Sequence, residues 1–198
     1  MTEHRDYQGA KMGMWIFLFT EILLFGGLFV LYSVTLGRYP TEFHEASKLL
    51  DVTMGTTNTV VLITSSLFAA LSVVGLQRGS RKAAKVFILL TLVLACCFLV
   101  IKYFEWSHKI HAGIYPGGEA LTQWEPGKQA FFGLYYIMTG LHGLHVIIGM
   151  GVFLWVWTRI AVGTCTPEHF VALENAGLYW HLVDLIWIYL FPLYYLIT

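Results

Sequence analysis

Charge is what this sequence has least of. Only 12% of its 198 residues are Asp, Glu, Lys or Arg, about half the share usual in a soluble domain. Twelve basic and twelve acidic residues cancel, so no charge excess points to nucleic acid or to an acidic substrate. Cysteine is scarce too, with only Cys96, Cys97 and Cys165. Cys96 and Cys97 are adjacent within an apolar run and do not readily bridge each other, and no C-x-x-C pair is present. That argues against a disulfide framework and against a thiolate metal site. The chain has five prolines, and only Pro192 falls inside an apolar run. Internal repeats and low-complexity tracts are not evident.

What is abundant is apolar surface. Hydrophobic residues make up 57% of the chain, and the mean hydropathy is +0.66, which indicates an integral membrane protein. Apolar runs occupy residues 12–36, 54–76, 83–103, 130–160 and 171–197, separated by short polar or turn-rich connections. Each reaches the ~20 residues that a helix needs to cross a hydrocarbon core of ~30 Å. The expected fold is therefore all-α, with residues 1–198 forming a single domain, a bundle of five transmembrane helices. The first run is too long for a signal-peptide core and no small-residue cleavage motif follows it, so it is expected to be a retained span. Lys and Arg set the orientation. Arg5, Lys11, Arg78, Arg81, Lys82, Lys85 and Arg159 fall on one side of the membrane; Arg38, Lys48, Lys102, Lys109 and Lys128 fall on the other. The compact Arg78–Lys85 cluster predicts an inside N-terminus and an outside C-terminus.

Polar groups inside these runs are the candidate functional residues. Glu21 lies ten residues beyond Lys11. At about 1.5 Å per residue that puts it ~15 Å deep, near the membrane centre. A carboxylate there costs roughly 2.5–3.5 kcal/mol on insertion scales, so it should face protein or water and have a partner. The fourth run carries Gly140-Leu-His142-Gly-Leu-His145-Val146, with both histidines on a heptad stripe shared with Tyr135, Met138 and Gly149. The glycines predict close approach of another backbone. In the fifth run Glu174, Gly177, His181 and Asp184 share a face, which lets His181 and Asp184 touch or jointly contact a third group.

Three readings of these histidines stand side by side. They could ligate haem or copper across the bundle. They could join Glu21 and Asp184 in a proton relay. They could simply hydrogen-bond between helices and fix packing. The second run, rich in Thr and Ser, reads as a buried bundle helix rather than a pore lining. Lys102, Glu105 and Lys109, at spacings of three and four, read as an interfacial ion pair with Tyr103 and Trp106 in an aromatic belt. The long connection 110–129 could cover a partner surface.

Taken together, these motifs resemble subunit III of the haem–copper oxidases, the cytochrome c and quinol oxidase family. The stretches that carry the resemblance run in order through the whole chain: Trp15-Ile-Phe17-Leu-Phe-Thr-Glu21, Asn58-Thr59 with Ser65-Ser66, Lys102-Tyr-Phe-Glu105-Trp106, Gly140-Leu-His142-Gly-Leu-His145-Val146, and Tyr179-Trp180-His181-Leu-Val183-Asp184-Leu-Ile-Trp187. The resemblance implies a subunit without redox centres, whose haem and copper sit in subunits I and II. It implies packing against subunit I, phospholipid binding and support of proton uptake, in a bacterial-type inner membrane. It makes Glu21 the counterpart of the family's carbodiimide-reactive glutamate and demotes the metal reading of His142, His145 and His181. Longer members have seven spans and a lipid-filled cleft, whereas this chain has five and starts at the equivalent of their third, so the cleft lipids do not carry over. Alternatives are a related subunit of a nitric oxide reductase cluster, a haem b quinone module, and a proton-coupled transporter.

Overall fold

A computed structural model describes residues 7–197. Arg5, which entered the orientation argument, and Thr198, the end of the predicted domain, lie outside the described residues. Seven helices follow one another: α1 (Tyr7–Arg38), α2 (Pro40–Ser47), α3 (Val52–Gln77), α4 (Arg81–His111), α5 (Glu119–Thr122), α6 (Pro126–Val162) and α7 (Val171–Tyr195). Five of them (α1, α3, α4, α6 and α7) are long and apolar enough to cross a membrane. Among the described residues there is no strand, only an isolated bridge between Thr166 and His169.

Four of the five spanning helices extend beyond the predicted apolar runs at both ends, and α7 keeps its predicted start but stops two residues short. Hydropathy marks where lipid contact stops, whereas helices run on to their capping residues. The Asp51 carboxylate caps α3, accepting from the Thr53 and Met54 backbone N–H groups at 2.8 and 3.1 Å. Ser80 caps α4 by accepting from the Ala83 N–H at 3.3 Å. α6 begins on Pro126 and ends on Gly163, whose φ of 86° is the left-handed conformation of a C-terminal cap.

α3 and α4 form the most intimate pair, α7 packs on both α3 and α6, and α4 packs on α6. These four helices make the centre, and α1 leans against α6 and α7. α1 buries only Leu18, Phe25 and Tyr32, a narrow line with a seven-residue period. Several contacts are set by absent side chains. A Cβ on Gly149 would lie 2.8 Å from the Trp180 ring, and one on Gly55 would lie 2.8 Å from Tyr195. The glycines therefore admit aromatic rings from α7, not the neighbouring backbone that the sequence suggested. Small residues serve close packing in either case.

Two sequence expectations need correction. α3 is not buried all round: Gly55, Asn58, Leu62 and Ser65 face inward while Thr56 and Thr57 are exposed. The exposed hydroxyls donate to the Val52 and Thr53 carbonyls at 2.8 Å. A Thr or Ser that bonds back to its own helix needs no partner helix, so hydroxyl content does not report burial. The connection after α1 also contains a helix. α2 buries Phe43, Ala46 and Ser47, and the Ser47 hydroxyl donates to the Ile197 carbonyl at 2.7 Å. On its outer side the Lys128 ammonium, 2.7 Å from Glu45, holds that carboxyl below the usual range. Phe43 stands edge-on to Tyr32 at 5.4 Å and to Phe131 at 5.2 Å, joining α1, α2 and α6.

Candidate functional site

Polar groups meet inside the bundle in three clusters, each built across helices. The densest surrounds the pair already visible on one helix. Lys102 donates to Glu105 Oε2 at 3.0 Å, one turn along α4. α6 brings Tyr135 and α7 brings Tyr195, whose hydroxyls donate to Glu105 Oε1 at 2.7 and 2.6 Å. The Lys102 ammonium also donates to both phenol oxygens, at 3.1 and 3.0 Å. All three of its N–H bonds are thus used, and both carboxylate oxygens are satisfied. Glu105 is 1% exposed and Lys102 7%. The pair expected at the membrane interface is therefore closed in laterally by two other helices. Helical spacing of three and four locates the pair but carries no information about what α6 and α7 place around it. Lys109 is buried as well but makes no bond to Glu105; Tyr103 is 71% exposed, and Trp106 lies half-buried.

The second cluster holds Glu21. His145 Nε2 lies 2.9 Å from Glu21 Oε2, linking α6 to α1. His145 Nδ1 lies 2.8 Å from the Leu141 carbonyl, an oxygen that only accepts, so Nδ1 carries a hydrogen. One further proton is then shared along the Nε2–Oε2 line. The pair is either an imidazolium with a carboxylate or a neutral imidazole with a carboxylic acid, and its net charge is zero in both forms. This arrangement lets a mid-membrane carboxyl avoid standing alone. Tyr179 donates to the His145 carbonyl at 3.1 Å, and Phe25 stands edge-on to the His145 ring at 5.3 Å.

In the third cluster Ser66 on α3 lies 2.6 Å from His181 Nδ1. The same serine meets Asp184. No bond joins His181 to Asp184 directly, so the two meet through a third group. Ser65 and Thr59 on α3 accept indole N–H bonds from Trp180 and Trp187, each at 3.0 Å. Glu174, the first member of the α7 face, lies near the helix start and pairs with Lys11 of α1 at 2.9 Å. Thr59, Ser65, Ser66, Tyr135 and Tyr195 are the site residues that sequence spacing missed. Each joins its cluster from another helix; spacing puts Tyr135 on a stripe, Thr59, Ser65 and Ser66 enter only through the family resemblance, and Tyr195 has no signal.

His142 stands apart. It is fully buried between Phe98 and Trp187, with ring centroids 5.5 and 5.2 Å away. Neither ring nitrogen has a hydrogen-bond partner among the described residues. The three histidines thus differ in environment: His145 is committed at both nitrogens, His181 is held by Ser66, and His142 is wedged between aromatic faces. Among the described residues no group of three or more His, Cys, Asp or Glu side chains is placed to hold a metal ion.

Five membrane-length helices clamped by polar clusters define a polytopic helix-bundle membrane protein whose buried polar groups tie helix to helix. Comparison with known proteins resolves the class further. The profile of the family described as cytochrome c oxidase subunit III matches residues 3–198. The chain is 31% identical, over 98% of its length, to a heme-copper oxidase subunit I+III of Aeropyrum pernix, and spans 24% of that longer protein. It is 30% identical to cytochrome c oxidase subunit 3 of Thermostichus vulcanus, over 99% of this chain and 90% of the other. It is also 30% identical to quinol oxidase subunit 3 of Bacillus subtilis, over 93% and 85% of the two chains. The chain belongs to the haem–copper oxidase subunit III family, whose members carry no redox centres of their own.

Proposed function

We propose that this chain acts as a packing subunit of a proton-translocating terminal oxidase. It lies against a haem- and copper-bearing subunit I, with subunit II in the same complex, and supports the proton uptake and working lifetime of that core. The observation that carries this reading is the relative named subunit I+III, in which the two subunits share one polypeptide. A fused pair has a fixed one-to-one ratio, as expected of neighbours in a complex. Relatives named for cytochrome c and for quinol oxidases match over nearly the whole chain. The reading therefore rests on the shared subunit, not on either electron donor.

Glu21 fits a supporting role. Paired with His145 it forms a net-neutral unit at the seam between α1 and α6, suited to holding α1 in place and to modulating proton entry. The whole chain serves as one five-helix unit in a bacterial-type plasma membrane, with its N-terminus inside and C-terminus outside. Labelling an engineered cysteine near Ile197 with an impermeant reagent should succeed in intact cells; labelling only after permeabilisation would reverse the topology. Affinity purification of a tagged chain tests the function itself. The tagged chain should bring down a haem-bearing subunit with a Soret band, and repeated recovery without one would refute the proposal.

A further inference from the structure

The two halves of α1 meet the bundle in different ways. Beyond Gly27 the contacts are aromatic and uncharged. Tyr32 stands edge-on to Phe43 and Tyr194 at 5.4 and 5.2 Å, and its hydroxyl donates to the Leu193 carbonyl. Before Gly26 the helix is held mainly by polar bonds. At its start Lys11 and Tyr7 donate to the two Glu174 oxygens at 2.9 and 3.1 Å, and Asn175 donates to the Ala10 carbonyl at 3.3 Å. Between these bonds and the Tyr32 anchor, the only side-chain hydrogen bond to another helix among the described residues is Glu21–His145. Gly26 and Gly27 separate the halves, and a Cβ on either would meet nothing within 4 Å, so packing demands neither glycine. Each weakens a helix interior by about 1 kcal/mol relative to Ala, and pairs of small residues are where helices bend.

The Glu21–His145 bond depends on a single proton. His145 Nδ1 keeps its hydrogen on the Leu141 carbonyl, so Nε2 and Glu21 Oε2 have one proton between them. Without it, a ring-nitrogen lone pair faces a carboxylate across 2.9 Å. Two other titratable groups face the pair: Tyr179 of α7, which donates to the His145 carbonyl, and His142 one turn along α6. On α7, His181 and Asp184 turn to Ser66 of α3, and Glu174 is paired with Lys11 at the helix start. Glu42, His44 and Glu45 of α2 lie near the far end of α1, where Phe43 meets Tyr32. Among the described residues no Lys or Arg forms an ion pair with Glu21. Proton loss therefore leaves an uncompensated carboxylate on a low-dielectric seam, a cost relieved by moving it away from His145.

From this geometry we propose that the shared proton latches a hinged helix. When the proton leaves to solvent, the N-terminal half of α1 swings outward on Gly26–Gly27 while Tyr32 keeps the other half seated. Reprotonation closes the seam. The open form admits water to Glu21 and His145 from the Lys11 end. The proposal rests on the reading of Glu21 as a modulator of proton entry and supplies the motion that would do the modulating.

Double electron–electron resonance on the purified oxidase complex tests the hinge. Spin labels go at Met12 on α1 and Leu154 on α6, both on exposed faces, with the exposed Cys96 and Cys97 replaced by Ala. A bend of ~20° at the glycines moves Met12, about 21 Å along the helix, by roughly 7 Å. Raising the pH from about 6 to about 9 should create a population displaced by that amount in the unsubstituted protein. Glu21→Gln, whose amide donates to His145 Nε2 without a titratable proton, should stay closed throughout. Glu21→Leu should be open at both values. Gly26→Ala with Gly27→Ala should shrink the displaced population at least threefold. Lys11→Arg, which keeps its charge, should leave the response intact. A displacement that persists in Glu21→Gln, or none in the unsubstituted complex, would overturn the latch, and one unmoved by the double alanine variant would overturn the hinge. Unaltered turnover and lifetime in Glu21→Gln, with the displacement present in the unsubstituted complex, would refute the proton-entry role and leave the latch standing, so the two failures are distinguishable.

Discussion

The bundle holds two intramembrane pairs of opposite chemistry, and they differ less in bond length than in enclosure. Lys102–Glu105 measures 3.0 Å and Glu21–His145 measures 2.9 Å. Around the first, three helices contribute four side chains that satisfy every donor and acceptor. Around the second, a single hydrogen bond crosses from α6 to α1, and α1 itself buries only a narrow line of residues. The fixed-charge pair sits where rescue by water is hardest. The pair whose proton can shift sits on a seam, where a helix joins the bundle loosely. A permanent charge needs a complete shell in a low-dielectric interior, whereas a pair that can neutralise itself by moving one proton tolerates a partial one.

The largest effect should come from breaking the enclosed pair. Glu105→Gln leaves the Lys102 ammonium buried without its counter-charge and should cost about 3–5 kcal/mol. Thermal unfolding of the chain in nanodiscs measures this; an unchanged midpoint would mean that the network carries no net charge pairing. Next come the glycines, which separate the tight side of the bundle from the loose one. Gly149→Ala pushes a methyl to 2.8 Å from Trp180 and should destabilise by roughly 1–3 kcal/mol. Gly26→Ala on α1, where nothing lies within 4 Å, should be neutral or gain up to about 1 kcal/mol of helix propensity. Equal effects at the two positions would erase the contrast between the α6–α7 contact and α1.

His181→Leu removes the partner of Ser66 and leaves that serine with one bond fewer beside Asp184, a loss of about 1–2 kcal/mol. If this variant assembles with undiminished heat resistance, the Ser66-centred cluster contributes nothing to packing. Glu21→Gln should have the smallest structural effect, because the amide still hydrogen-bonds to His145. Its expected signature is intact assembly with modestly slower turnover or a shorter active lifetime of the oxidase. Unchanged kinetics and lifetime would reduce Glu21 to a packing residue.

Much of this was legible from residue spacing, because a helix places i, i+3 and i+4 on one face whatever surrounds it. The Lys102–Glu105 pair, the buried stripe of Tyr135, Met138, His142, His145 and Gly149, and the inward face of Asp184 all follow that rule. Glu21 was legible as a group in need of company, since its depth is set by counting residues. Its partner was not. The proton-relay reading left His142, His145 and His181 equally eligible, and only the packing of α1 against α6 selected His145. α2 went unread because eight residues with a polar face resemble a loop until Phe43 is seen inserted among Tyr32 and Phe131.

Composition and hydropathy alone set the class: scarce charge and five apolar runs mark a membrane bundle, since a bilayer demands helices that satisfy their own backbone. They also mark which side chains are expensive, because burial cost depends on residue type and depth. How each cost is met was settled by the packing of the helices. It assigned His145 to Glu21 and enclosed Lys102 and Glu105 with tyrosines from two other helices. Those outcomes depend on helix rotation and lateral neighbours, which long-range packing fixes and local spacing does not encode.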